Sequence, residues 1–190
     1  MLSRIGLIVL FLLAGLGLTW GAAPPAGAQY SEAYQFIKAV KDDNLLEARQ
    51  RLFGGSTANA RTGEGVPVLL VAADNASLKM TEFLLDNGAN VNIEDRKTGE
   101  TALMRFAEQG NLAGVNLMLE HGADPDETDK KGQTALMKAA KLRRSRTAEA
   151  LIEAGADLGK TDYTGRTALA YARESRARTI ERALTNAGAM

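Results

Sequence analysis

The sequence predicts an all-α solenoid of about five helix-turn-helix repeats, and three observations predict it. First, one phrase recurs. Gly99-Glu100-Thr101-Ala102-Leu103-Met104 leads to Leu119-Glu120-His121-Gly122-Ala123-Asp124, and Gly132-Gln133-Thr134-Ala135-Leu136-Met137 leads to Leu151-Ile152-Glu153-Ala154-Gly155-Ala156-Asp157. Second, the opening glycines Gly65, Gly99, Gly132 and Gly165 and the closing glycines Gly88, Gly122, Gly155 and Gly188 advance together. Their step of about 33 residues marks a repeat array. Third, apolar residues between these glycines are spaced by three and four, which is the period of helices and not of strands.

The recurring phrase resembles the ankyrin repeat, Asp-x-x-Gly-x-Thr-Pro-Leu-His-x-Ala-Ala, followed by a second helix ending Leu-Leu-x-x-Gly-Ala. The resemblance runs from about Ala33 to the C-terminus. It implies an ankyrin-repeat solenoid with short β-hairpin-like loops, its repeats falling near 31–60, 61–94, 95–127, 128–160 and 161–190. The family proline stands here as Ala102, Ala135 and Ala168, and Pro67 reads as its one retained copy. The family histidine stands as Met104, Met137 and Ala170.

Met1 to Ala28 reads as a signal peptide: Arg4, then an apolar run from Ile5 to Leu18, then Pro24-Pro25 and the small-x-small Ala26-Gly27-Ala28. Cleavage is expected after Ala28, leaving 29–190 as the ankyrin repeat domain. The run is shorter than the roughly 18 to 20 apolar residues of a stable membrane span. The chain has no cysteine, so neither a disulfide nor an N-terminal lipid-bearing cysteine is available. An exported protein of this kind is stable by packing alone, and the leader and composition fit a bacterial periplasm. The localisation expected is periplasmic or secreted.

In the first repeat, Ser31 is placed to cap a helix, with Tyr34, Ile37 and Val40 on one face and Phe36 and Ala39 beside it. A second helix follows near Leu45 to Phe53. This pair lacks the hairpin phrase and is polar outside, as a solenoid end requires. The second repeat has the apolar inner helix Val68-Leu69-Leu70-Val71-Ala72-Ala73, against which Leu78, Thr81, Leu84 and Leu85 pack. In the third, Leu103, Phe106 and Ala107 face Leu112, Val115, Met118 and Leu119. Asp95, Asp129 and Asp162 begin tight turns that end at Gly99, Gly132 and Gly165, the first with one extra residue. In the fifth, Arg176, Arg178, Glu181 and Arg182 leave Ile180 and Leu184 to dock a C-terminal cap. Array physics then predicts that Leu119→Ala in the middle costs roughly 2 to 5 kcal/mol and Leu184→Ala at the end clearly less.

The sequence offers little chemistry. His121, the one histidine, stands in Leu-Glu-His-Gly-Ala and reads as a cap or surface residue. No nucleophile elbow accompanies it, and thiol catalysis and cysteine-based zinc sites are absent. The run Asp124-Pro125-Asp126-Glu127-Thr128-Asp129 lacks the turn glycine and distant glutamate of a calcium loop and reads as a connector. The chain is expected to be no enzyme and to need no cofactor or metal. Lys plus Arg equal Asp plus Glu at 23 each, which argues against bulk nucleic-acid binding.

The family resemblance implies a protein-binding module, probed through hairpin tips and the inner-helix face. By matching positions the tips are Thr62, Glu64, Arg96, Lys97, Glu100, Lys130, Lys131, Gln133, Tyr163 and Arg166. The inner-helix positions are Asp74, Asn75, Glu108, Gln109, Lys141, Leu142, Glu174 and Ser175. The residues put forward for partner contact are Arg96, Lys97, Glu108, Gln109, Lys130, Lys131, Lys141, Leu142, Tyr163 and Arg166. Leu70, Met104 and Met137 are either an adaptable apolar stripe or core. Lys138, Lys141, Arg143, Arg144 and Arg146 are either a patch for an acidic protein surface or anionic lipid, or a solvated turn. The expected partner is another protein bound by a monomer, with membrane contact only if the leader stays uncleaved.

Overall fold

In this computed structural model residues 26–190 are described, with side chains from Glu32 onward, and Glu32–Met190 form one compact unit. The expected leader lies outside the described residues up to position 25. The described residues form ten helices: α1 (Ala26–Lys41), α2 (Leu45–Phe53), α3 (Val68–Asp74), α4 (Leu78–Asp86), α5 (Ala102–Gln109), α6 (Leu112–Glu120), α7 (Ala135–Lys141), α8 (Ser145–Glu153), α9 (Ala168–Glu174) and α10 (Arg178–Asn186). Among them there is no strand beyond an antiparallel bridge between Arg61 and Pro67. None of these helices is long and apolar enough to cross a membrane.

Inner helices α3, α5, α7 and α9 pack in file, as do outer helices α4, α6, α8 and α10, and each inner helix packs on the outer helix that follows it. Threonine caps set where the inner helices begin. Thr101, Thr134 and Thr167 accept the amide hydrogens of Met104, Met137 and Ala170 at 3.5, 3.3 and 3.2 Å, so a start that lacks the family proline is still capped. Pro67 occupies the capping threonine's place rather than the proline's, and α3 accordingly begins without a side-chain cap. The outer helices end on left-handed glycines: Gly88, Gly122 and Gly155 have φ of 83°, 80° and 85°. Beyond them the amides of Ala89, Ala123 and Ala156 reach back to carbonyls of Leu84, Met118 and Leu151 at 2.9, 2.9 and 3.1 Å.

The core is the stack of Ala, Leu and Met between the two files, with Phe36 and Phe106 its fully buried rings. Leu70, Met104 and Met137 are buried, so that column is core and not an exposed stripe. Gly114 shows how closely the files approach: a Cβ there would stand 2.3 Å from the Phe106 ring.

Three expectations are corrected. α1 begins at Ala26, so Ser31 lies inside the helix and not at its cap. Tyr34 is exposed, and the buried residues of α1 are Phe36, Ala39 and Val40. Leu184 is fully buried while Leu119 is half-buried, which reverses the ranking expected from position in the array. The cost of truncation follows the volume removed from a packed site, not distance from the end. Leu184→Ala is expected to lower stability by about 2–5 kcal/mol, and Leu119→Ala by clearly less; urea melts giving the opposite order would refute this packing.

Candidate interaction surface

The surface is built from the hairpins upward. The last three hairpins each start on a buried aspartate whose Oδ1 gathers the turn's amides, whereas the first starts at Arg61. Asp129 Oδ1 accepts from Lys131 and Gln133 at 2.8 and 2.9 Å, and Asp162 Oδ1 from Thr164 and Arg166 at 2.9 Å each. Asp95 Oδ1 accepts from Lys97 and Thr98 at 2.6 and 3.4 Å. The Gly132 and Gly165 amides reach back three residues to Asp129 and Asp162 at 2.8 and 2.9 Å, whereas Gly99 reaches back four to Asp95 at 2.8 Å. That wider turn holds the extra residue.

Successive tips are joined. The Lys130 amide donates to Thr98 O at 2.9 Å, the Tyr163 amide to Lys131 O at 3.1 Å, and Lys130 Nζ to Arg96 O at 2.5 Å. A Cβ at Gly132 would lie 2.9 Å from the Tyr163 ring, so the ring rests on the preceding tip while 78% of the residue stays exposed. Arg96, Lys97, Lys130 and Lys131 are exposed beside it, and Lys97 stands 3.8 Å from Glu64. On the inner-helix side Lys141 and Leu142 are exposed.

Several residues expected at this surface are engaged within the fold. Gln109 Nε2 donates to Ala73 O at 2.8 Å, and the half-buried Glu108 offers its carbonyl to Arg144 Nε at 3.0 Å. Asn75 and Ser175 reach back to Lys41 O and Ala140 O at 3.0 and 2.9 Å in the same column. These contacts tie each inner helix to the one before it. Arg166 pairs with Asp162 and Glu174 at 3.3 and 3.4 Å. Gln133 is buried, and Glu100 nearly so, because both side chains turn inward between repeats.

Lys138 is the largest departure from expectation. It is buried between Glu100 Oε1 at 2.6 Å and Asp129 Oδ2 at 3.0 Å, so it belongs to the fold and not to an exposed basic patch. Arg105 extends this chain to Glu100 at 2.9 Å and Asp74 at 3.7 Å. One repeat further, the Tyr171 hydroxyl donates to Asp162 Oδ2 at 2.6 Å and accepts from Gln133 Nε2. The Arg166 guanidinium lies 4.5 Å from the centre of the Tyr171 ring and the Lys141 ammonium 6.0 Å. The hint in the sequence was the polar residue four places after each capping threonine, inside an otherwise apolar helix.

Burial pushes the Asp162 carboxyl up, but hydrogen bonds from Thr164, Tyr171 and the Arg166 and Thr164 amides outweigh it and hold it well below the usual range. Asp129 is likewise lowered, its burial outweighed by the Gln133 and Lys131 amides and by Lys138. Burial pushes Lys138 down, and its bonds to Glu100 and Asp129 carry it above the usual lysine value.

His121 is an exposed residue at the end of α6. Asp124 and Asp126 serve the connector: Asp124 Oδ1 accepts the Asp126 amide and Asp126 Oδ1 the Asp157 amide, both at 2.8 Å. Among the described residues no three His, Cys, Asp or Glu side chains are grouped to hold a metal ion.

Two outcomes follow from the buried pairs. Lys138→Ala leaves Asp129 without its ion-pair partner and Glu100 with Arg105 alone, and is expected to cost about 3–5 kcal/mol in urea unfolding. The lowered Asp129 and Asp162 contribute stability that is complete above the unfolded carboxylate value of about 3.9 and is lost as pH falls through their folded values. Melting temperature should therefore drop steeply below about pH 4, and Asp162→Asn should flatten that drop while lowering stability at neutral pH.

The comparisons with known proteins agree with this geometry. A family model described as ankyrin repeats (3 copies) matches residues 36–129 and 103–189. Zygote-specific protein 3 of Chlamydomonas reinhardtii is 30% identical over 129 residues, covering 67% of this chain and 33% of that protein. A putative ankyrin repeat-containing protein of Treponema pallidum is 33% identical over 90 residues, 47% of this chain and 30% of the relative. Mouse ankyrin repeat domain-containing protein 63 is 33% identical over 111 residues, 56% and 27%. The chain thus spans about a third or less of the length of these relatives. Ankyrin repeats are generally non-enzymatic protein–protein interaction modules, and this chain belongs to the ankyrin repeat family.

Proposed function

We propose that this chain is a non-enzymatic interaction module of the bacterial periplasm, which binds and holds another protein through its hairpin tips and inner-helix face. The observation that carries this is the linked row of tips. Arg96, Lys97, Lys130, Lys131 and Tyr163 are exposed on turns fixed by buried aspartates and joined by amide-to-carbonyl bonds. Preorganised side chains lose less entropy on binding than mobile ones, and an exposed aromatic on a rigid support suits an interface anchor. The periplasmic assignment rests on the leader sequence, Met1 to Ala28, and on the absence of cysteine.

A second reading, a membrane-tethered adaptor, keeps the leader with its apolar run Ile5 to Leu18 as an uncleaved anchor. Sequencing the N-terminus of the fractionated protein divides the two, since a start at Gln29 excludes the tether.

A photoreactive residue at position 163 or 141, followed by mass spectrometry, is expected to capture a protein from the envelope fraction. Tyr163→Ala should leave the melting temperature nearly unchanged and weaken that capture. Unfolding of the last repeats by the same substitution would make Tyr163 structural and remove it from the interface.

A further inference from the structure

Overall neutrality conceals a charge split along the solenoid. Residues 32–128 carry nine Lys or Arg and sixteen Asp or Glu, a net of −7, while residues 129–190 carry thirteen against seven, a net of +6. The split is sharpest around α7, where Lys130 to Arg146 hold seven cations and no acid. Of these, Lys138 is closed on Glu100 and Asp129. The other six are exposed, and among the described residues no carboxylate comes within ion-pair distance of them.

Their placement is informative. Lys130 and Lys131 precede α7; Lys141 ends it and Arg143 and Arg144 follow. A seven-residue helix is about 10 Å long, so the two sets of cations stand at opposite ends of α7. A groove of about 250 Å³ lined by Lys141, Arg166, Tyr171, Glu174 and Ser175 opens beside it, and Glu174 there is paired with Arg166. Arg143 shares the left-handed φ of its whole column: Asp43, Ala76, Gly110, Arg143 and Arg176 stand at 53°, 53°, 75°, 60° and 56°.

We propose that these exposed cations and the groove beside them dock an acidic, extended segment of the partner protein, laid across the fourth and fifth repeats with its carboxylates on Lys131, Lys141 and Arg143 and an apolar side chain against Tyr163. The proposal rests on the interaction-module reading above and specifies its partner. An extended chain rises about 3.3 Å per residue, so three or four of its residues span the roughly 10 Å between the two ends of α7. A flat bilayer would meet the outer cations without entering the groove beside them. Tyr163 alone offers no ladder of rings for stacked bases. The field of the basic half also steers an acidic partner to this end of the solenoid and away from the acidic half.

The test uses the purified chain and a fluorescent peptide of about 12 residues rich in Asp and Glu, beside its Asn/Gln counterpart. Anisotropy should show the acidic peptide binding about tenfold or more tighter, and weakening at least several-fold between roughly 50 and 200 mM salt as screening grows. Lys131→Glu with Lys141→Glu should abolish binding, while Lys79→Glu on an outer helix should not. Arg143→Gly should weaken binding with melting temperature equal or raised. Equal binding of both peptides, indifference to the double variant, or tighter binding of phosphatidylglycerol vesicles or a DNA duplex would overturn the proposal. So would a salt-sensitive dimer in sedimentation, with a second copy's acidic half covering these cations. A protein captured from position 163 whose capture ignores Lys131→Glu/Lys141→Glu leaves the module standing and removes the site for an acidic segment. Capture of no protein at all removes the module itself.

Discussion

Asp95, Asp129 and Asp162 sit buried at the mouths of successive hairpins, and most of the structure depends on what their carboxylates hold. One oxygen closes the turn by gathering amides. In Asp129 and Asp162 the other oxygen meets the side chain four places past the threonine cap, Lys138 or Tyr171. A buried carboxylate with no partner carries a large desolvation cost, so the hairpin and the inner helix are held in one geometry. The tips inherit that geometry and are joined to one another by their own amide-to-carbonyl bonds.

The same arrangement explains why the repeats differ in chemistry while sharing a shape. The column Val71, Arg105, Lys138, Tyr171 passes from apolar to charged to aromatic. Each member is matched by its surroundings: Arg105 by Glu100 and Asp74, Lys138 by Glu100 and Asp129, Tyr171 by Asp162 and Gln133. Each pairing crosses to the preceding repeat or closes the repeat's own hairpin. Nearest-neighbour coupling of this kind is what holds a linear array together, and it is why a polar residue in an inner helix here need not be a binding residue.

That distinction decides which side chains are available to a partner. Gln109, Glu108 and Ser175 sit on the inner-helix face, yet they close inner-helix carbonyls or accept a neighbour's donor. Lys131, Lys141 and Tyr163 keep their charged or aromatic ends in water, and they lie on the half of the solenoid where positive charge accumulates. Position on the concave face is therefore a weaker guide than the accounting of hydrogen bonds.

The sequence by itself determined the period, the order of helices, the glycines that end them and the wider turn at Arg96-Lys97-Thr98. These follow from local rules: a left-handed residue favours glycine, a helix start favours a hydroxyl, and one inserted residue lengthens one turn. The charge split was legible as well, once the halves were counted apart rather than summed. Only the tertiary structure decided that Lys138 is buried, that Gln133 and Glu100 turn inward, and that Leu184 is better packed than Leu119. The physical reason is that each of these depends on a side chain about one repeat away. Sequence periodicity places that neighbour in register without saying whether its polar atoms point at water or at the residue in question.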